Sequence, residues 1–254
     1  MIVSWNGRRL DETEVRISAF DGGLLRGQGV FETMRADRGR IDFWGPHYDR
    51  LCHSAGEMSL TVPAKDKLQR EIQDVLKSNS LCEQVSRVRL TLSKNLLITA
   101  LPEPPPALTC DVVTVPFPVN ERSPLAGAKV CSYAENMVIL ESTGANEAIR
   151  PNTRGNLCEG CISNVFFVKD GTLHTPSLET GCLPGIVRSV LVERNPGVRE
   201  GCWPVTILEE AEEIWLTSST RLMTKVDTCD GRTFGPKSEF FERVFTDLLW
   251  AAKH

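Results

Sequence analysis

The chain has 254 residues and a formal net charge of −4, with acidic and basic side chains interspersed, so it carries no basic stripe for nucleic acid or an anionic membrane surface. Hydrophobic residues make up 41%, enough for a sizeable core, and the length allows two domains or one large one. Nine cysteines, an odd number scattered along the chain, fit reduced thiols better than a disulfide framework. No apolar run reaches the roughly 18 residues of a membrane span, and residues 1–7 lack the charged and apolar regions of a signal peptide, so a cytoplasmic location is expected.

Residues 1–45 read as strands joined by tight turns, with Asn6-Gly7 a hairpin signal and Asp37-Arg38-Gly39 turning the segment from Val30 into Ile41-Asp42-Phe43. A helix is predicted after Pro46, with Leu51, Ala55 and Met58 on one face, and a second presents Leu68, Ile72, Val75 and Leu76. Residues 85–92 alternate as a half-buried strand, and residues 108–115 make another. Between them, Pro102-Glu103-Pro104-Pro105-Pro106 is a stiff surface loop. The turn-rich stretch 116–124 contains the expected interdomain linker at 118–123, which divides the chain into an N-terminal α/β domain (1–117) and a C-terminal domain (124–254).

The second half opens with Lys129 and a short helix holding Met137, Val138 and Leu140. A hairpin turns at Asp170-Gly171, and Pro184-Gly185 opens a helix with Val187, Val190 and Leu191 inward. Residues 203–207 and 214–217 are predicted strands. A C-terminal helix carries Phe240, Phe241, Val244, Phe245, Leu248, Leu249 and Ala252 at helical spacing.

Lys129 read alone is a solvated surface lysine, but Leu125-Ala126-Gly127-Ala128 before it are small and apolar and would bring it into a dry pocket, where desolvation favours the neutral, nucleophilic amine. Gly185, Ile186 and Val187 fall at a helix start, where free N–H groups and the dipole favour an anion. Ser219 and Thr220 follow a strand and can donate further bonds, and Arg50 offers a guanidinium fork from the first long helix; helix cap, turn and exposed arginine are the bland alternatives. The C-x-x-C at Cys158 and Cys161 has no second pair at zinc spacing, and Gly27-Gln28-Gly29 lacks the rest of a dinucleotide pattern. His47, His53, His174 and His254 show no metal spacing and are assigned no role.

Taken in order, several segments resemble the class IV aminotransferases, the fold type IV enzymes of pyridoxal 5'-phosphate (PLP). They are Phe20-Asp21-Gly22-Gly23, Gly27-Gln28-Gly29-Val30-Phe31-Glu32-Thr33, His47-Tyr48-Asp49-Arg50-Leu51 and residues 125–129. They continue with Gly144-Ala145-Asn146-Glu147-Ala148, Cys158-Glu159-Gly160-Cys161-Ile162-Ser163-Asn164-Val165-Phe166, Leu183-Pro184-Gly185-Ile186-Val187-Arg188 and Thr217-Ser218-Ser219-Thr220. Each is weak alone, and together they span nearly the whole chain.

The resemblance implies an α+β, two-domain fold like that of D-amino acid aminotransferase, with PLP in the interdomain cleft of a homodimer. It places the Schiff-base lysine at Lys129, puts Tyr133 near the cofactor's phenolic oxygen and assigns Glu159 to the pyridine nitrogen. Arg50, Gly185, Ile186, Val187, Ser219 and Thr220 are left for the phosphate. It also implies small amino acid and keto acid substrates. Transamination is the expected activity; a 4-amino-4-deoxychorismate lyase, releasing pyruvate and 4-aminobenzoate, and a non-catalytic PLP-binding protein are the alternatives.

This chain departs from the family pattern in three places. The loop after Leu92 reads Ser93-Lys94-Asn95-Leu96-Leu97-Ile98 where relatives often have glycine and arginine, which leaves Arg26, Lys94 or Arg221 for the substrate carboxylate. The stretch between Asn136 and Gly144 is about one helical turn shorter than in relatives. Tyr48 and Tyr133 are the only tyrosines, which argues against the tyrosine-lined pocket of a branched-chain enzyme.

Overall fold

The computed structural model describes residues 1–104 and 110–253; Pro105 and Pro106 of the expected proline-rich loop and Leu108 at the start of the expected strand lie outside the described residues. The content is α+β, as expected, and the chain forms two units that interleave in sequence. The first comprises Met1–Pro105 and Ala128–Tyr133, the second Pro106–Gly127 and Ala134–His254.

In the first unit, β1 (Ile2–Trp5) and β2 (Arg8–Asp11) form the hairpin signalled by Asn6-Gly7, both at positive φ (52° and 80°), the pair of angles a two-residue turn of this hand needs. A short helix, α1 (Gly22–Arg26), follows where only strands and turns were expected. Five residues are too few to show a helical period; the local signal is Asp21, whose carboxylate caps Gly23 and Leu24. Gly27 ends the helix at φ 65°, and its carbonyl accepts the Ser132 hydroxyl, so the Gly27-Gln28-Gly29 pattern serves a helix stop.

After β3 (Val30–Asp37) and β4 (Arg40–Ile41), helix α2 (Trp44–Glu57) begins two residues ahead of Pro46, which sits in the first turn where its missing N–H costs no bond. Helix α3 (Lys65–Ser78) buries Leu68, Ile72, Val75 and Leu76, as its spacing predicts. Strand β5 (Val85–Leu92) pairs with β6 (Leu96–Pro102), which was not expected as a strand although Leu96, Ile98 and Ala100 alternate inward. The antiparallel sheet runs β2-β1-β6-β5-β3-β4, and Met34, Val88, Leu90 and Ile98 form its core with Leu51, Leu68 and Ile72 of the helices.

The second unit contains two five-stranded sheets. One contains β7 (Asp111–Thr114), β8 (Glu147–Pro151) and β9 (Leu157–Gly160). The other is built on the hairpin of β10 (Asn164–Lys169) and β11 (Thr172–Pro176), which turns at Asp170-Gly171 as predicted. Helix α4 (Ala134–Thr143) precedes β8 and α5 (Ile186–Arg194) follows β11. The chain continues through β12 (Arg199–Gly201), β13 (Glu213–Ser218), β14 (Leu222–Lys225), β15 (Thr228–Cys229) and β16 (Arg232–Thr233) to α6 (Glu239–Lys253). The strand orders are β16-β15-β7-β8-β9 and β12-β11-β10-β13-β14. Helix α6 buries Phe241, Val244 and Leu248, and Phe241 meets Trp215 edge-on at 5.3 Å.

Two expectations change here. Residues 203–207 are not a strand: Val205–Glu210 is a 3-10 turn following Pro204, which has no N–H to give a ladder. Helix α4 does hold Met137, Val138 and Leu140; it buries Ile139 and leaves Met137 and Val138 exposed. Residues 118–123, expected as a linker, pack within the second unit. The buried Arg150 guanidinium donates to the carbonyls of Phe117 and Pro118, and Val119 bridges to Asn152.

Candidate active site

Lys129 returns to the first unit as part of an added strip. Phe31 N–H donates to the Lys129 carbonyl at 3.0 Å and Cys131 N–H to the Gly29 carbonyl at 2.7 Å, flanking a Val30–Val130 bridge. Ser54 Oγ of α2, 1% exposed, accepts the Lys129 backbone N–H at 3.0 Å. These bonds aim the side chain along Phe31: Lys129 Nζ lies 4.5 Å from the centre of that ring and 5.8 Å from the Tyr133 ring. The Phe31 and Tyr133 rings meet edge-on at 5.5 Å.

A second cation shares the ring. Arg89 places its guanidinium carbon 3.9 Å from the Phe31 centre, with Nε donating to Thr91 Oγ1 at 3.2 Å. Phe31 pairs with Thr91 and Thr33 with Arg89 across β3 and β5, so the alternation of strands puts these side chains on one face. Arg89 was missed from sequence, where an exposed arginine on a half-buried strand is unremarked. Of the residues expected for the substrate carboxylate in this unit, Arg26 donates to Gln28 Oε1, and Lys94 is exposed in the turn between β5 and β6.

Arg50 is buried rather than exposed, and its Nε and Nη2 fork grips Glu32 at 2.8 and 2.7 Å. His47 Nδ1 bonds the same carboxylate at 2.7 Å, a role not expected for any histidine. Burial alone would raise the Glu32 carboxyl, but the Arg50 charge and the bonds from Arg50 and His47 prevail and hold it at about 2. Burial pushes the His47 imidazole below its ordinary range despite its bond to Glu32.

In the second unit Glu159 lies on β9 opposite Arg150 of β8, half-buried, with Oε2 accepting the Leu183 N–H at 2.8 Å. Helix α5 starts at Gly185 without a side-chain cap, leaving the N–H groups of Ile186 and Val187 in an uncapped first turn. Ser219 and Thr220 follow β13, and the Thr217 hydroxyl at that strand's end is buried with no hydrogen-bond partner among the described residues. Arg221 is exposed beyond them.

Glu147, also missed, is fully buried on β8 and accepts from Ser163 Oγ at 2.6 Å and from Ala148 N–H at 3.0 Å. Burial raises its carboxyl above the usual range against the pull of those donors. The Cys158 and Cys161 thiols are pushed up by burial, Cys161 to about 12, so both are protonated and unreactive at neutral pH. Among the described residues no group of histidine, cysteine and carboxylate side chains is arranged to hold a metal ion.

The family model of amino-transferase class IV matches residues 29–229. The chain is 30% identical over 243 residues to the aminodeoxychorismate lyase of Bacillus subtilis, covering 84% of this chain and 82% of that protein. It is 27% identical to the D-alanine aminotransferase of Listeria innocua, covering 91% and 88%. Among solved structures, a hypothetical aminotransferase from Mycobacterium tuberculosis superposes with a TM-score of 0.88 at 27% identity over 99% of both chains; that form is bound to α-ketoglutarate and PMP. The PLP-bound form of that protein superposes with a TM-score of 0.89. The chain therefore belongs to the class IV aminotransferases, enzymes that depend on PLP.

Proposed function

We propose that the protein moves an amino group between an amino acid and a 2-keto acid, with Lys129 as the reactive amine. The observation that carries this reading is the Phe31 ring shared by Lys129 Nζ and the Arg89 guanidinium, which sets a proton-accepting amine beside a fixed positive charge for a carboxylate. When bound, PLP supplies the carbonyl that receives the amino group and the ring that takes up electrons.

The residues present fit that group. In the second unit the uncapped start of α5, the Thr217 hydroxyl with no partner among the described residues, Ser219 and Thr220 are donors suited to a phosphate; in the first unit Arg50, oriented by Glu32, offers a guanidinium. Glu159, steadied by the Leu183 N–H, would hold the pyridine nitrogen protonated through a charge-assisted bond, while Tyr133 serves the phenolic oxygen. Lys129 Nζ would take the substrate α proton and return it. Arg89 replaces Arg26, Lys94 and Arg221 as our choice for the substrate carboxylate.

A lyase that releases pyruvate and 4-aminobenzoate is the second reading, favoured by the 30% identity to the Bacillus enzyme. A cytoplasmic homodimer completes the proposal. The side chains of Phe20, Leu24 and Leu25, exposed at 86%, 64% and 56%, are apolar surface that a second copy would cover. Among the described residues no helix is long and apolar enough to cross a membrane.

The test is the visible spectrum of the protein with PLP before and after borohydride, with mass mapping of the reduced lysine. An adduct on Lys129 is expected, followed by keto acid formation from an amino donor and 2-oxoglutarate. Release of pyruvate from aminodeoxychorismate would instead select the lyase. Bound PLP without α-proton exchange in deuterated water would leave a non-catalytic binder, and an adduct confined to other lysines would overturn the role of Lys129.

A further inference from the structure

The backbone of one residue, Leu183, joins two parts of the proposed site. The Leu183 N–H donates to Glu159 Oε2 at 2.8 Å, and the Leu183 carbonyl accepts Asn164 Nδ2, also at 2.8 Å. Gly185, the N-cap of α5, turns its own N–H back to the same carbonyl at 2.8 Å. Asn164 opens β10 and is 6% exposed. Its Oδ1 occupies the space beside Gly185 Cα so closely that a Cβ at Gly185 would collide with it. Asn164 also stands directly across the ladder from Thr217, so the two side chains share a sheet face.

A buried amide with one bond to a carbonyl needs no functional explanation, since any such carbonyl must find a donor. What sets Asn164 apart is that both ends of its amide act on the proposed site. The nitrogen holds the Leu183–Pro184 peptide on one side of the Leu183 Cα, whose preceding peptide gives its N–H to Glu159, and the oxygen lies against Gly185 where α5 begins. Resting on the PLP reading above, we infer that Asn164 is a positioning residue that sets the Glu159 carboxylate and the first turn of α5 together through the Leu183 backbone. Loss of its nitrogen frees the Leu183–Pro184 peptide, and with it the Leu183 backbone that presents its N–H to Glu159. Loss of its oxygen removes the stop against which Gly185 rests.

The experiment uses the full chain loaded with PLP in four forms: Asn164→Ala, Gly185→Ala, the double variant, and Glu159→Gln as control. Two quantities are read besides activity: the PLP dissociation constant and the pH midpoint of the bound cofactor's visible band. Asn164→Ala is expected to weaken PLP by about tenfold, the scale of one lost buried hydrogen bond, and to move the midpoint in the same direction as Glu159→Gln. Gly185→Ala is expected to weaken PLP by a similar factor through collision with Oδ1. The double variant should then bind PLP better than the product of the two losses, because the new methyl enters the space that Oδ1 vacates.

Strictly multiplicative losses, or an Asn164→Ala protein that melts earlier with its PLP affinity and midpoint unchanged, would overturn the inference. If Asn164→Ala does not fold, Asn164→Ser carries the same two readouts. A Glu159→Gln protein with an unshifted band would sink the PLP assignment of Glu159 and this inference with it. A shifted Glu159→Gln band beside an unshifted Asn164→Ala band sinks the inference alone.

Discussion

Ser54 Oγ accepts the backbone N–H of Lys129 at 3.0 Å, so helix α2 holds the lysine's main chain while Arg50, one turn earlier on that helix, holds Glu32. Ser54→Ala leaves the Lys129 N–H without its acceptor, a loss of about 1–3 kcal/mol. Calorimetry should show that destabilisation, and kcat should fall at least several-fold while the KM for the amino donor stays near the parent value. An unchanged kcat would mean that the strip pairing with Gly29 and Phe31 positions the lysine unaided.

Arg89 lies over Phe31, and among the described residues no ion pair involves it. Arg89→Ala should raise KM for a 2-keto acid by about 10–100-fold, the worth of a charge-assisted bond to a carboxylate, with little change in melting temperature. Arg89→Lys should recover part of the loss, since a point charge replaces a fork. Steady-state kinetics with a keto acid and with an uncharged aldehyde acceptor make the check: the aldehyde should be indifferent to the substitution.

Acid should weaken the first unit through two groups of the same sign. The folded Glu32 carboxyl sits at about 2 against an ordinary 4.5, so its contribution is complete above pH 4.5 and is lost as pH falls from there toward 2. His47 is held neutral by burial below its ordinary 6.5, so the unfolded chain takes up that proton first as pH drops under 6.5. Thermal melts should therefore decline from pH 6.5 downward and steepen below 4.5. Glu32→Gln should flatten the lower part of the slope and cost about 3–5 kcal/mol at neutral pH by leaving Arg50 buried without its carboxylate.

Phe241 is 1% exposed and packs edge-on against Trp215, stacking near Phe245. Phe241→Ala should destabilise the second unit by about 3–5 kcal/mol, and chemical denaturation followed by tryptophan fluorescence, to which Trp215 contributes, makes the check.

Regular elements were legible wherever spacing and burial agree. Leu68, Ile72, Val75 and Leu76 mark α3 because one helical face is apolar and the rest polar, and Asn6-Gly7 and Asp170-Gly171 mark hairpins because few other residues accept those angles. Of the candidate site, Lys129 and Tyr133 were named from sequence and do meet, beside Phe31. Arg89 and Ser54 were not, because each gains meaning from a partner on another element: Phe31 across the sheet and Lys129 75 residues away. Asn164 was read as part of a motif with no role, since its contact with Leu183 depends on where the chain returns after β11. The strand expected at 203–207 failed for a local reason: apolar alternation there is broken by Pro204, and the segment turns instead.

The strip that carries Lys129 reaches the first unit after an excursion of the chain through residues 106–127. During synthesis the six strands of that unit are complete before the amine exists, and the edge at Gly29 and Phe31 must stay open to receive it. A gene cut at residue 105 would encode Phe31, Arg50, Ser54 and Arg89 without the lysine, so a fragment that carries this candidate site has to run on through the strip at residues 128–133.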